Sequence, residues 1–225
     1  MDDIIIDELI RSHRRTISLI IDSAGRLVVR APMKVTITEI NKFINRKRSW
    51  IIEKKNLVLE KNKNKKPFEI KDGEAILFLG EKKFIKVADN AKYALELSGN
   101  QFILNNKYMK NARKLLILLL RKQAAKIIGE KALKFSEVLN LPFNKFGITN
   151  AQRRWGSCSS KKSLNFSWRL VMAPEQVIDY VVIHELVHTI YMNHSKEFWA
   201  IIKKIMPNYE IYKIWLQNNS HLLNL

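Results

Sequence analysis

The sequence predicts an α+β protein. Three observations support this class: β-rich runs near the start of the chain, four short strand-like segments in its middle third, and long segments with helically spaced apolar residues. Helices and strands that fall in separate runs, rather than in strict alternation, are typical of α+β folds. At 225 residues, 47% hydrophobic and 27% charged, the chain is long enough to bury a core.

The first part of the chain, 1–66, is predicted to form a β-hairpin followed by a basic helix. Apolar residues at helical spacing predict that helix over Thr36–Leu59. The lysine- and asparagine-rich stretch Lys61–Pro67 is typical of a linker, since its terminal proline stops a helix. The hairpin is predicted from two β-rich runs around a turn signal: Arg15–Ile21, Asp22–Gly25 and Leu27–Ala31.

The second part, 67–105, contains four short strand-like segments separated by turn signals, and we expect a small antiparallel β unit. The segments are Ala75–Leu79, Phe84–Val87, Tyr93–Leu97 and Gln101–Leu104. The third part, 106–225, begins with a long helix predicted over Tyr108–Leu139. The three parts could also form one continuous domain.

The rest of the third part is predicted to contain strands and then helices. The strands are expected at Phe146–Thr149, Arg153–Ser157 and Ser163–Ser167. Pro174 occupies the first turn of a helix over Glu175–Met192, where its missing N–H costs nothing. Apolar residues cover nearly every face of this helix, which is typical of a buried central helix. Two further helices are expected, at Lys196–Met206 and from about Asn208.

Charge and cysteine content limit the function classes. The chain carries 40 Lys and Arg against 21 Asp and Glu, a formal net charge of +19. This charge favours non-specific DNA binding through basic faces in Arg46–Lys66 and Lys107–Lys134. The alternative is nucleotide composition, because 28 Lys and 19 Asn are also what an AT-rich genome produces. A lone cysteine, Cys158, excludes an internal disulfide and a multi-cysteine metal site.

The sequence carries no sign of membrane insertion. No apolar run approaches the roughly 20 residues needed to span a bilayer. The first ten residues are acidic, whereas a signal peptide begins with basic residues. We therefore expect a cytoplasmic protein without a membrane partner.

The buried helix contains the sequence His184-Glu185-Leu186-Val187-His188. Histidines four residues apart lie on the same helix face, so both imidazoles can reach one metal ion. The glutamate beside the first histidine is placed to take a proton from an attacking water. Polar groups in an apolar helix cost about 1–3 kcal/mol each when unpaired. A dication would provide a partner for all three polar residues of this segment, His184, Glu185 and His188. The alternative is a pair of histidines that are merely hydrogen-bonded in the core.

A third ligand is needed, and His194 is the candidate. Its spacing from His188 matches the metzincin signature, in which a glycine lets the chain turn back to the metal. Tyr191 occupies the glycine position here, so we expect the turn to be formed otherwise, with Asn193 in a left-handed conformation. The alternative for His194 is a surface histidine that caps a helix.

Several longer segments resemble the YgjP-like metallopeptidase family, bacterial and archaeal relatives of the SprT and Spartan proteases. These segments are Ile10–Leu19, Gly25–Pro32, Arg153–Cys158, Leu164–Leu170, Ala173–Pro174, Val177–His188 and Asn193–Trp199. The resemblance spans most of the chain and is weakest from Asn62 to Asn140. It implies a zincin-like fold, with an HExxH active-site helix in a catalytic domain over 106–225. It also implies one zinc ion per chain and Glu185 as the catalytic base. The implied zinc ligands are His184, His188 and His194.

In a zincin-like fold, the strand before the metal-binding helix borders the cleft, and substrate can pair with it as an added strand. Gly156 would allow close backbone approach at this strand. The candidates for stabilising the oxyanion are Arg154, Ser157 and Tyr191. Cys158 is interpreted as a small buried residue or a wall of the metal site. The alternative, a Cys158 nucleophile with His184 as its base, conflicts with a metal-bound histidine.

The predicted function is a zinc metallopeptidase that hydrolyses peptide bonds by a metal-activated water, with Glu185 as general base. Its substrates are proteins or peptides, and DNA-associated proteins are one class, since SprT-like relatives attack proteins crosslinked to DNA. Two alternatives stay open: a nucleic-acid-associated binding protein with a structural metal site, and a metal-dependent hydrolase of a non-peptide substrate. Structural zinc sites have four protein ligands, and no fourth ligand is evident near His194.

Overall fold

The computed structural model describes residues 4–22, 24–63 and 70–225. Contacts within the chain define two compact units, Met1–Phe68 and Glu69–Leu225. Helices and small mixed sheets make up the described residues, which confirms the α+β class. A separate catalytic part over 106–225 stays a prediction.

The described residues of the first unit form β1 (Glu8–Ser12), β2 (Ser18–Ile21), β3 (Leu27–Pro32), α1 (Ile37–Arg46) and α2 (Arg48–Lys63). β2 and β3 form the predicted antiparallel hairpin, while β1, which was not predicted, lies parallel to β3 on its other side. Asp22 stabilises the turn, because its carboxylate accepts hydrogen bonds of 2.9 Å from the backbone N–H groups of Ala24 and Arg26.

The core of the first unit lies between β3 and the two helices. Its buried residues are Leu27, Val29, Ala31, Ile40, Ile44 and Ile51. α1 begins with a capping box, in which Thr36 and Glu39 each bond the other's backbone N–H. The prediction of a single helix over Thr36–Leu59 is wrong, because the helix is interrupted at Lys47. Neither Gly nor Pro marks this position in the sequence. Of the predicted linker, residues 64–67 lie outside the described part of the chain.

The second unit begins with a four-stranded sheet of order β4-β5-β7-β6. Its strands are β4 (Ala75–Phe78), β5 (Glu81–Ala88), β6 (Leu95–Ser98) and β7 (Gln101–Asn105). The prediction of an antiparallel unit is wrong for one pair, because β5 and β7 are parallel. β6 and β7 form a hairpin, and its second strand returns beside β5 in the same direction.

The long helix α3 (Ala112–Leu139) starts later than predicted, after a 3-10 helix over Asn106–Asn111. Every fourth residue of its inner face is buried: Ala112, Leu116, Leu120, Ala124, Ile128 and Ala132. This face packs against the buried 3-10 segment Trp168–Met172 and against the helix that follows that segment. Asn140, in the left-handed conformation, ends α3.

A second three-stranded sheet positions the candidate site. It contains β8 (Lys145–Thr149), β9 (Gly156–Cys158) and β10 (Ser163–Ser167), in the order β8-β10-β9. β9 lies at the edge of the sheet and is shorter than the strand predicted over Arg153–Ser157. β10 pairs with β8 in parallel and with β9 in antiparallel orientation.

Three helices complete the second unit: α4 (Glu175–Val187), α5 (Lys196–Ile205) and α6 (Tyr209–Asn219). α4 is buried on most faces, as predicted, but it ends at Val187 rather than Met192. Lys131 of α3 connects α3 to the start of α4 through ion pairs of 3.0 Å to Glu175 and 2.8 Å to Asp179. No helix in the described ranges is long and apolar enough to cross a membrane.

Candidate metal centre

The predicted metal-binding residues lie at the C-terminal end of α4 and just beyond it. His184 is in the last turn of α4, and His188 is the residue that caps its end. The chain then turns, with the N–H of Tyr191 donating to the carbonyl of Val187 at 3.0 Å. The expectation of a left-handed Asn193 is wrong, since Asn193 is not among the described residues with positive φ. Because α4 already ends at Val187, the chain can turn before His194 without the glycine of the metzincin signature.

The three histidine rings come together after this turn. Ligand atoms of His184, His188 and His194 all lie within 4.8 Å of one another. The Nε2 atoms of His184 and His194 are 3.0 Å apart. Two ligands at 2.0–2.1 Å from one tetrahedral zinc ion lie roughly 3.3 Å apart, so this spacing is close to that of a shared ion. The three side chains could therefore hold a metal ion.

His188 is oriented by a backbone carbonyl. Its Nδ1 lies 2.8 Å from the carbonyl oxygen of Tyr191, to which Nδ1–H donates. Metal-binding histidines commonly donate one ring N–H to such an acceptor, which fixes the ring and leaves the other nitrogen for the metal. Tyr191 thus contributes to the cluster through its main chain.

Burial keeps His184 and His194 neutral. It lowers the pKa of His184 to about 3, and the nearby His188 acts in the same direction. Burial also lowers the pKa of His194, again with His188. His184 Nδ1 is buried and has no hydrogen-bond partner among the described residues, so ordinary core hydrogen bonding does not account for this ring. Neutral, converging imidazoles suit a dication.

Aromatic side chains surround the three histidines. Ser195 accepts a hydrogen bond of 3.4 Å from the N–H of Phe198 and so starts α5, which places Phe198 and Trp199 beside the cluster. The Phe198 ring lies 4.6 Å from the His188 ring, and Trp199 stacks on His194 at 5.5 Å between centroids. These two rings form the α5 side of the cluster.

Glu185 is buried next to the cluster, with only 6% of its surface exposed. Burial raises its pKa to about 7, against the opposing charge of Arg154. A Cβ at position 156 would lie 2.5 Å from Cγ and 2.6 Å from Oε1 of Glu185. Gly156 therefore allows a close approach, as predicted, but the group that approaches it here is the glutamate side chain.

A cleft of about 540 Å³ opens in front of these residues. It lies between the segment before β9, α4 and α6, and its lining includes His184 and Glu185. The other lining residues are Gln152, Arg153, Trp155, Gly156, Tyr180, Val181, Lys213, Leu216, Gln217 and Ser220. An open cleft whose wall holds a buried carboxylate and a metal-ligating type of side chain, here Glu185 and His184, is typical of an active site.

The oxyanion candidates occupy different positions relative to this cleft. Arg154 is exposed, and its charge reaches Glu185. Ser157 is half-buried in β9, and neither Ser157 nor Tyr191 is among the lining residues. Cys158 is half-buried rather than buried, and burial together with the charge of Glu185 raises the pKa of its thiol. A raised pKa disfavours the thiolate that a nucleophile needs.

Tyr180 and Lys213 are among the lining residues of this cleft that sequence reasoning missed. Tyr180 lies one turn before His184 on α4, with its ring 5.8 Å from that histidine, so helical spacing could have found it. Lys213 comes from α6, and no pattern in the sequence connects it to the histidines. Its Nζ lies 4.7 Å from the centroid of the Trp199 ring.

Three converging histidines, a buried carboxylate and an open cleft define a candidate metal-dependent hydrolase. A family model described as YgjP-like, metallopeptidase domain, matches residues 15–219, and the chain belongs to this family. The match confirms the resemblance and supports metal-dependent peptidase activity on protein or peptide substrates. None of the curated proteins compared matches the chain.

Proposed function

We propose that the protein is a zinc metallopeptidase in which Glu185 is the general base. The proposed ligands of the single zinc ion are His184, His188 and His194. The observation that carries this proposal is the convergence of three imidazoles beside a buried carboxylate at the wall of an open cleft. Membership of a metallopeptidase family favours a peptide bond as the group that is hydrolysed.

The residues of the chain divide the work of hydrolysis. When bound by three protein ligands, zinc supplies an open coordination position, polarises a carbonyl and lowers the pKa of water. Glu185 takes the proton of the attacking water and returns it to the leaving amine. The Tyr191 carbonyl holds the His188 ring in place. β9 is an edge strand, so an extended peptide can pair beside it and bring its carbonyl to the cleft.

The two alternatives have less support. A structural zinc site needs four protein ligands, but only three potential ligands form the group within the described residues. Hydrolysis of a non-peptide substrate would use the same residues, and no feature of the cleft favours such a substrate. The family match therefore favours peptide hydrolysis.

The test of this proposal is the substitution Glu185→Gln. The amide keeps the size of the side chain but cannot accept the proton, so we expect full zinc content and a loss of protein hydrolysis of about 10²- to 10⁴-fold. Zinc is measured by elemental analysis and hydrolysis with an unfolded protein substrate. Glu137→Gln, an exposed glutamate of α3, is the matched control. Hydrolysis near the wild-type rate would exclude Glu185 as the base.

A second, independent proposal is that DNA binds along α3 and brings DNA-associated proteins to the cleft. Lys114, Lys122 and Lys126 are exposed on this helix at four- and eight-residue spacing, and they form no ion pair within the described chain. Aligned cations of this kind suit a phosphate backbone. In the other predicted basic range, residues 64–66 lie outside the described part.

Salt dependence tests the DNA proposal. If three lysines contact phosphates, the slope of log affinity against log salt is about −0.9 per contact. Changing Lys114, Lys122 and Lys126 to Gln should flatten the slope by about 2–3 on duplex DNA while zinc content stays constant. A control of equal charge changes the exposed residues Lys71, Lys82 and Lys86 instead. Equal slopes for the two triple variants would show that α3 is not the DNA-binding face.

A further inference from the structure

The charges of the cleft are unbalanced. Two cations, Arg153 and Lys213, line it, and Glu185 is the one acidic residue among its described lining residues. Neither cation forms an ion pair or a hydrogen bond with another described residue. Glu185 is itself buried and lies beside His184. The cleft therefore presents two free positive charges to whatever enters it.

Lys213 is held close to the histidine cluster. Its ammonium lies over the face of Trp199, 4.7 Å from the ring centroid, an arrangement that cation–π attraction favours. Trp199 in turn stacks on His194 at 5.5 Å. Tyr209, at the start of the same helix as Lys213, also stacks on Trp199, at 5.3 Å between centroids, and adds to this support. The positive charge is thus fixed about one aromatic ring away from a candidate ligand.

The rest of the lining suits a short carbon chain that ends in a polar group. Trp155, Tyr180, Val181 and Leu216 supply apolar surface, and Gln152 and Gln217 supply neutral donors. Apolar walls with a few placed polar groups are typical of sites that bind one kind of side chain. Arg153 and Lys213 then determine which polar group binds at the end of that carbon chain. On a peptide, the group that pairs with a cation is a carboxylate.

We propose that this cleft selects peptides by a carboxylate near the scissile bond, bound by Lys213 and Arg153. This inference rests on the proposed peptidase function and names its substrate class. The carboxylate has two sources, the side chain of Asp or Glu and the free C-terminus of the peptide. Lys213 is a specificity residue in this scheme, and it is distinct from the oxyanion candidates Arg154, Ser157 and Tyr191.

The first experiment finds the preferred sequence without assuming it. The zinc-loaded protein digests a mixed peptide library with free C-termini and the same library with amidated C-termini, and mass spectrometry locates the cuts. An acidic side chain as the source gives Asp or Glu enriched at one position near the cut in both libraries. The C-terminal carboxylate as the source gives cuts near the end in the free library and none in the amidated one.

The second experiment assigns the preference to the cations. On a peptide pair that differs only by carboxylate or amide, we expect Lys213→Gln to lower kcat/KM for the carboxylate peptide on the order of tenfold, mainly through KM. The amide peptide should change little. Lys213→Arg keeps the charge and should restore the preference, while Lys203→Gln, an exposed lysine of α5 outside the lining, should leave it unchanged. Binding of the same pair to the Glu185→Gln variant measures the preference without turnover.

The outcomes distinguish a failure of the proposed peptidase function from a failure of the proposed substrate class. No cleavage of any peptide by the zinc-loaded protein would overturn the proposed peptidase function. Cleavage with no carboxylate preference would overturn the present inference and leave the peptidase intact. An equal fall of kcat on both peptides in Lys213→Gln would make Lys213 part of the reaction step instead. A change in duplex DNA binding without a change in peptide preference would assign the cations to DNA.

Discussion

The first three-stranded sheet of the chain and the last one are built alike. In β1-β3-β2 and in β8-β10-β9, an antiparallel hairpin is extended by a parallel strand on the far side of its second strand. Their surroundings differ. The first sheet packs an apolar face, with Leu27, Val29 and Ala31, against Ile40 and Ile44 of α1. The last sheet places the edge residue Gly156 against the carboxylate of Glu185.

The comparison shows that sheet topology does not create the candidate site. In the first unit this strand arrangement packs against α1, whereas in the second unit an edge glycine leaves space for a buried acid. The proposed ligand His184 and the proposed base Glu185 lie instead in the last turn of the mostly apolar helix α4. The predictions that follow change side chains in one region and use the other, or a neighbouring position, as the reference.

The largest effect is expected from removing a proposed ligand. His194→Ala should lose zinc, with affinity lower by at least about 100-fold, because an open three-ligand site then keeps only two ligands. His13→Ala removes an exposed histidine next to β1 of the first unit and should keep one zinc per chain. Elemental analysis gives the zinc content. A chelator should lower the unfolding midpoint of the wild type and of His13→Ala, but not that of His194→Ala.

Full zinc in His194→Ala would remove this residue from the proposed ligand set. It would also return His194 to the alternative of a surface histidine that caps a helix. The comparison between the two regions would then rest on Glu185 and Gly156 alone.

A smaller but still large effect is expected at Gly156. In Gly156→Ala the new Cβ would stand 2.5–2.8 Å from three atoms of Glu185, so the strand or the glutamate must move. A misplacement of about 1 Å in a reacting group can cost about 100-fold in rate, so we expect kcat to fall 10- to 100-fold with zinc retained. Overpacking should also lower the free energy of unfolding by about 1–3 kcal/mol.

Gly147→Ala is the matched control, on the opposite edge strand of the same sheet. Its Cβ would meet Asn165 Oδ1 at 2.7 Å, the far end of a side chain that can rotate away from the new methyl group. We expect wild-type kcat in this variant. Wild-type kcat in Gly156→Ala as well would show that the space beside Glu185 is not needed for catalysis.

The sequence identified the candidate site better than it identified the fold around it. The HExxH spacing is local, and a helix fixes where its side chains lie, so His184, Glu185 and His188 could be grouped from five residues of chain. Strand β1 and the parallel pairing of β5 with β7 depend on contacts between distant segments, which hydrophobic patterns do not encode. Lys213 is a clear case, since it reaches the cleft only through the packing of α6 on α4.

The smallest effect, of opposite sign, is expected at Gly129 of α3, where a glycine also faces a side chain of the last sheet. A Cβ at this position would lie 3.5 Å from Cε1 of Phe146 on β8, an ordinary van der Waals distance. Alanine is favoured over glycine inside a helix by about 1 kcal/mol, so Gly129→Ala should raise the free energy of unfolding by about 0.5–1 kcal/mol. Urea denaturation measures this change, and kcat/KM should equal that of the wild type. Destabilisation by Gly129→Ala would mean that α3 and β8 are packed as tightly as Gly156 and Glu185, and the contrast between a tolerant glycine and a required one would be lost.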